Sequence, residues 1–188
     1  MQYKKLSDDE IAIQVAEDIS NNKVVGWFQG RSEFGPRALG HRSIFANPTW
    51  PEVKDYLNDK VKYREYWRPY APIVLESDAS EYFDIKSKSL CDPYMLMSYN
   101  VKVDNLPGIM HEDGSARIQT INRQQNEKVY KLLKCIKNKI GVSVLLNTSF
   151  NLGGEPIVES PKDATRTFVN SNIDVLVLEN FYITKGDI

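Results

Sequence analysis

An α/β domain built around a mixed sheet is what this sequence predicts, and three observations predict it. Apolar runs of strand length alternate along the chain with amphipathic stretches of helical period. No internal repeat breaks the pattern, and no long linker divides the 188 residues. A chain of this length can bury a sizeable core as one domain, expected to span residues 1–188. Strand order does not follow from the pattern.

The elements follow in order. Ser7-Asp8-Asp9-Glu10 reads as a capping box, and Ile11, Val15 and Ile19 recur at four-residue spacing, so residues 8–20 are predicted helical. Asn21-Asn22 ends that helix, and Val24–Phe28 reads as a buried strand. Residues 29–41 carry three glycines and a proline, the composition of an ordered loop. Arg42–Ala46 is a second strand, closed by Asn47-Pro48. Thr49-x-x-Glu52 with Pro51 in the first turn opens a second helix, with Val53, Tyr56, Leu57 and Val61 facing the core.

A strand is expected at Ala71–Glu76, a short helix near Asp78–Phe83 and a flexible polar loop at 84–93. Tyr94–Val103 is strand-like, 104–114 is rich in turn residues, and Ala116–Ile121 is another strand. Gln125–Ile140 places Val129, Leu132, Leu133, Ile136 and Ile140 on one face, with Gly141 as terminator. Val142–Leu146 suits a central strand, Ser160-Pro161 opens a helix reaching about Asn170, and Asp174–Leu178 is the expected closing strand.

Charge nearly cancels, with 24 Lys and Arg against 25 Asp and Glu, which disfavours a polybasic membrane or nucleic-acid binder. No apolar run approaches the ~20 residues that span a bilayer. The first ten residues lack the apolar core of a signal peptide. Cys91 and Cys135 are far apart and outside any C-x-x-C pair, so a reducing, cytoplasmic setting is expected. Two histidines, His41 and His111, are too few for a histidine-rich metal centre, and no protein-held metal is expected.

Chemistry concentrates in three polar islands where arginine or lysine neighbours glycine or proline. The first, Gly30–Ser43, holds Arg31, Arg37 and Arg42 directly after a buried strand, a common ligand position in α/β sheets. Arginines so close together need an anion or carboxylates among them, and a tight turn with Glu33 as their partner is the simpler alternative. The second, Lys60–Pro69, separates Lys62 from Arg68 by aromatics, a pattern also expected of a solvated helix end with its rings turned into the core. The third is split between His111–Arg117 and Leu146–Glu155, where Asn147, Ser149 and Asn151 precede Gly153-Gly154. Such a segment can form an anion-binding backbone nest or a plain turn, and His111 by itself reads as a structural hydrogen-bonder. Phosphate-loop, dinucleotide, zinc-protease and serine-elbow motifs are all absent.

GRSEFGPRALGHRSIFANP, LNDKVKYREYWRPYAPIVL, DGSARIQTI and VLLNTSFNLGGEPIVESPKDA, in that order, closely resemble the C-terminal region of the NodU/CmcH-type O-carbamoyltransferases. The resemblance spans residues 24–184. It implies a YrdC-like domain, an α/β fold with a twisted, mixed open sheet flanked by helices. It implies binding of ATP, as MgATP, and of carbamoyl phosphate, and formation of carbamoyl adenylate with release of phosphate and pyrophosphate. Transfer to an acceptor hydroxyl would then fall to an actin/sugar-kinase-like N-terminal domain, which nothing in these residues resembles.

Carried over motif by motif, the ligand contacts fall on Arg37, Lys62, Arg68, Arg117, Ser149 and Asn151, with Asn147, His111 and Arg42 as further candidates. The first three would hold phosphates, Arg117 would engage carbamoyl phosphate or the α-phosphate, and Ser149 and Asn151 would donate to triphosphate oxygens. Two other readings stay open, a non-catalytic domain that docks on a carbamoyltransferase and a YrdC-like RNA-binding module.

Overall fold

The computed structural model describes residues 1–86 and 92–186. Cys91 and the centre of the 84–93 segment, expected to be a loop, lie outside the described residues. The opening capping box forms as its spacing predicts. Ser7 Oγ accepts from the Glu10 amide at 3.3 Å while the Glu10 carboxylate accepts from the Ser7 amide at 2.8 Å, starting α1 (Asp8–Ser20). A second long helix, α4 (Glu127–Ile140), begins after Asn126, whose side chain accepts from the Val129 amide, and ends on Gly141 at φ +79°.

Strands β1 (Gln2–Lys5), β10 (Phe181–Thr184), β9 (Val175–Leu178), β2 (Val25–Phe28), β3 (Arg42–Ala46), β8 (Val144–Ser149), β4 (Ala71–Leu75) and β7 (Gln119–Ile121) lie side by side in that order. The β2–β9 and β4–β7 pairs are parallel and the others antiparallel, so the sheet is mixed, as the sequence predicts. A separate antiparallel pair joins β5 (Ser98–Asn100) to β6 (Ser115–Arg117).

Strand alternation divides the core between the two faces of the sheet. Val25, Trp27, Phe45, Ile73, Leu145, Val175 and Val177 meet α1 and α4 through Ile11, Val15, Ile19, Leu132 and Ile136. Phe28, Ile44, Val74, Leu146 and Leu176 point the other way, toward Val53, Leu57, Val61 and Phe168. Phe168 comes from α5 (Pro161–Val169), which opens with the Ser160–Asp163 capping box. A short helix, α3 (Ala79–Tyr82), follows β4.

The sheet departs from expectation at several points. Gln2–Lys5 and Phe181–Thr184 pair as antiparallel strands that hydropathy does not reveal, because β1 is exposed throughout and held by main-chain bonds. Asp174–Leu178 is therefore interior, between β10 and β2, and not the closing strand. Most of Tyr94–Val103 is not strand, because the Asp92 carboxylate accepts from the amides of Tyr94, Leu96 and Met97 and curls the chain through Met95 at φ +57°. Ala116–Ile121 is not one strand either, since β6 and β7 belong to different sheets and Ile118 is the crossover.

The second helix departs in a way that matters for the site. It starts as α2 (Val53–Tyr56) and widens into a π-helical stretch at Leu57–Lys62, stopped by Tyr63 at φ +49°. Val53, Leu57 and Val61 still face the core, as their spacing predicts. The widened turn also buries two polar side chains, Asn58 and Lys62, on the same element. Such π-turns recur at functional sites.

Candidate functional site

Three loops leave the sheet along one edge. Residues 29–41 connect β2 to β3, 63–70 lead into β4, and 150–160 follow β8; since β3 and β4 run antiparallel to β8, all three converge where Ser43 and Ala71 face the end of β8. The first loop is folded by its own carboxylate, Glu33, whose Oε1 accepts from the Leu39 and His41 amides at 2.9 and 2.7 Å. Glu179 anchors its start by accepting from the Gly30 amide.

Between these loops lies an open cleft of about 610 Å³, lined by Arg37, Lys62, Arg64, Glu65, Arg68, Ser149 and the 151–154 segment. A smaller chamber of about 120 Å³ adjoins it and shares Arg37, Arg64 and Ser149. Arg117 and Asn147 complete the chamber wall. The sequence candidates Arg37, Lys62, Arg68, Arg117, Ser149, Asn151 and Asn147 thus come together although they span residues 37–151.

Their states differ. Arg37 forms no ion pair or side-chain hydrogen bond with any described residue. Arg117 Nε and Arg64 Nη2 are buried without a hydrogen-bond partner among the described residues. Burial, with Arg37 nearby, pulls the Arg117 guanidinium down from its ordinary range. Arg68 sits at the exposed rim and pairs with Glu65 at 2.9 Å. The nearby carboxylates do other work than pairing with the arginines: Glu33 holds its loop, Asp113 accepts from the Ser115 amide and Glu155 from the Leu152 amide.

Lys62 is only 3% exposed, and its Nζ faces Ser149 O, Asn151 O and Asn151 Oδ1 at 2.8, 2.9 and 2.6 Å, with Ser149 Oγ at 3.3 Å. Four oxygens surround an ammonium with three hydrogens, so Lys62 fastens the loop after β8 to the π-helical turn. Burial, with Arg64 beside it, lowers its pKa to about 7. Gly153 completes this joint, because a Cβ there would lie 2.5 Å from the Lys62 carbonyl oxygen.

Two residues that the sequence reading did not single out prove central. Arg64 lines both cavities. Asn58, 1% exposed, accepts from Arg64 Nε at 2.8 Å and from the Tyr70 hydroxyl at 2.6 Å, while donating to the carbonyls of Tyr66 and Arg68. The Lys62-x-Arg64 spacing was a usable signal, but the left-handed Tyr63 that turns both side chains inward is not legible in the residue types.

Two further candidates lie elsewhere. Arg42 lines neither cavity; its guanidinium stacks 3.5 Å from the Phe28 ring centroid and donates to the carbonyls of Gln29, Gly30 and His41. His111 lines a different hollow with Lys54, Trp67 and Asp113, its Nδ1 3.1 Å from Ser115 Oγ. Tyr63, Tyr66 and Trp67, expected to pack inward, are instead exposed by 57, 75 and 63%. Among the described residues no three His, Cys, Asp or Glu side chains form a group able to hold a metal, and no helix is long and apolar enough to cross a membrane.

Residues 16–185 match the family model described as Carbamoyltransferase C-terminus. Among curated proteins, nodulation protein NolO of Bradyrhizobium diazoefficiens is 45% identical over 94% of this chain and 33% of its own length. Nodulation protein U of Sinorhizobium fredii is 47% identical over 75% of this chain and 25% of its own length. The chain therefore spans a third or less of the relatives named here. Among solved structures, full-length HypF in a phosphate- and nucleotide-bound form covers the whole chain, and 22% of HypF, with a TM-score of 0.63 at 17% identity. HypF of T. kodakarensis has the same TM-score at 14% identity over 97% of this chain and 22% of its own. The likeness to HypF is one of fold, whereas the family match and the nodulation proteins place the sequence: this chain belongs to the carbamoyltransferase C-terminal family.

Proposed function

We propose that the cleft binds MgATP and carbamoyl phosphate and forms carbamoyl adenylate, the activated half of an O-carbamoyl transfer. The observation that carries this reading is the convergence of Arg37, Arg64 and Arg117, none paired with a carboxylate, on two adjoining cavities. Cations gathered in this way repel one another, and a polyanion relieves both the repulsion and the unpartnered donors.

The residues fit the two substrates in kind. Arg37, Arg64 and Arg68 would hold phosphate oxygens in the larger cleft, where the 151–154 segment also lines the wall. Arg117 would meet the acyl phosphate in the chamber. The chemistry asks for no side-chain nucleophile: water splits carbamoyl phosphate to carbamate and phosphate, and a carbamate oxygen then displaces pyrophosphate from the α-phosphorus. What the chain contributes is offset charge and held geometry. Magnesium would arrive with the nucleotide, ligated by phosphates and water. Delivery to an acceptor hydroxyl belongs, in this reading, to a separate actin/sugar-kinase-like domain in the longer protein.

The test is pyrophosphate release by the chain with MgATP, with and without carbamoyl phosphate. Release that needs both substrates and disappears in Arg37→Ala and Arg117→Ala supports the reading. Calorimetric binding of MgATP without release assigns completion of the site to the partner domain. Absence of ATP binding overturns the proposal.

A further inference from the structure

Arg37 reaches the cleft from a loop whose two legs are built differently. The leg after it is fastened residue by residue. The carbonyls of Ala38, Leu39 and Gly40 accept from Asn147 of β8, Gln119 of β7 and Trp27 of β2 at 3.0, 2.9 and 3.0 Å. Asn126, the cap of α4, donates a second bond to the Gly40 carbonyl. The tip has nothing comparable. Residues 34–37 make no main-chain hydrogen bond to any described residue. Phe34 is fully exposed, and Gly35 stands at φ +107° in open space.

Glu33 closes this tip. It stands at the tip's start, and its Oε1 accepts from the amides of Leu39 and His41, both beyond the tip's end, at 2.9 and 2.7 Å. One oxygen therefore joins residue 33 to residues 39 and 41 and makes the tip a ring. Bonds to an ionised acceptor are roughly twice as strong as neutral ones. Ser32 ties the leg before the tip to Glu159 and does not reach across the loop. Arg37 is the tip's last residue before the fastened leg, and it lines both the cleft and the chamber.

We infer that Glu33 is the positioning residue for Arg37, closing the loop so that this unpaired cation stands at the junction of the two cavities. The inference rests on the phosphate-binding reading above and adds to it a residue that touches no ligand. An arginine on an open tip loses conformational freedom each time it holds a phosphate, whereas one on a closed ring is set beforehand. The Glu33 charge also reaches Arg42, which bonds the Gln29, Gly30 and His41 carbonyls at the base of the loop. Geometry and charge are separable, because glutamine keeps the accepting oxygen and removes the charge.

Loop order and affinity are read separately. In the unliganded chain the Leu39 and His41 amides should be protected from hydrogen exchange. The heteronuclear NOE of the Phe34, Gly35 and Arg37 amides should fall in Glu33→Ala and recover in Glu33→Gln. Calorimetric MgATP affinity should follow, dropping about tenfold or more in Glu33→Ala and staying within about twofold of wild type in Glu33→Gln. Unprotected Leu39 and His41 amides in wild type overturn the inference even if Glu33→Ala does not fold. So does a Glu33→Ala variant whose tip stays as ordered as wild type, or one that loses order and keeps full affinity. Failure of Glu33→Gln to restore both readings assigns the effect to the charge near Arg42 and overturns the role of the two hydrogen bonds. A wild-type chain that binds no MgATP overturns the phosphate reading, while exchange and NOE still decide whether Glu33 orders Arg37.

Discussion

The Lys62 ammonium lies 2.6 Å from Asn151 Oδ1, and this contact ties the end of a π-helical turn to the loop after β8. The two segments are 89 positions apart in sequence. Neither would keep its course without the other, because the turn ends in a left-handed residue and the loop passes over it at Gly153 with no space for a side chain. Lys62 shapes the cleft from beneath, while the arginines above it face the cavity.

This position makes Lys62 a source of pH-dependent stability. Its pKa falls from an ordinary 10.5 to about 7 through burial and the adjacent Arg64. Between these values the unfolded chain binds the proton and the folded chain does not, so stability rises as pH increases through that window. Urea unfolding of wild type and Lys62→Met at pH 6.5, 8 and 9.5 should show the difference shifting in favour of wild type by up to about 1.4 kcal/mol per pH unit. A difference that stays constant would show that the four surrounding oxygens hold the ammonium charged across the range.

At the acid end the corresponding group is Asp78. Burial raises its pKa, but hydrogen bonds from Lys137, Ser77 and Ser143 outweigh that effect and bring it to about 2. A carboxylate lowered in this way stabilises the fold above its unfolded pKa near 3.8, and that contribution is lost as pH falls from about 4 to 2. Asp78→Asn should lose about 2 kcal/mol at neutral pH and show a flatter acid-unfolding profile by circular dichroism. The same steepness in both proteins would place the acid sensitivity elsewhere.

Gly153 and Gly154 make a controlled pair. A Cβ at Gly153 would lie 2.5 and 3.0 Å from the Lys62 and Tyr63 carbonyl oxygens, so Gly153→Ala must displace backbone at the base of the cleft. Gly154 has open space but a φ of +78°, so Gly154→Ala costs about 1 kcal/mol of backbone strain without a collision. Calorimetry should find MgATP affinity reduced at least about tenfold by the first change and less by the second. The reverse order would mean that the loop tip, and not its seat on Lys62, governs binding.

How much of this was legible in the residues varies with distance along the chain. Helices α1 and α4 and the buried strands announce themselves because their caps and apolar periods are local and agree with their packing. The edge strand β1 does not, since QYKK carries no apolar face and pairs through its main chain. In the site, glycine and proline neighbours mark Arg37 and interleaved aromatics mark Lys62, but charge alone does not separate a ligand residue from an internal fastener. Arg42 resembles a ligand residue in sequence and proves to cap carbonyls from behind. Asn58 gave no signal, because its role exists only once the π-turn faces the returning 64–70 segment.

Asn58 therefore tests whether the cleft depends on held geometry or only on net charge. Its Oδ1 fixes Arg64 and the Tyr70 hydroxyl, and its Nδ2 holds the carbonyls of Tyr66 and Arg68. Asn58→Ala strips four groups, one buried and three part-buried, of a partner and should cost about 2–3 kcal/mol in urea unfolding, with MgATP affinity falling as Arg64 loses its support. Asn58→Asp keeps an acceptor for Arg64 and Tyr70, so it should be the more stable of the two. Its carboxylate would neutralise Arg64 in place, however, and MgATP affinity should drop about tenfold. If Asn58→Asp binds MgATP like wild type, the Arg64 charge is not used by the nucleotide. If Asn58→Ala keeps full affinity, Arg64 needs no positioning and the 64–70 segment holds its shape through other contacts.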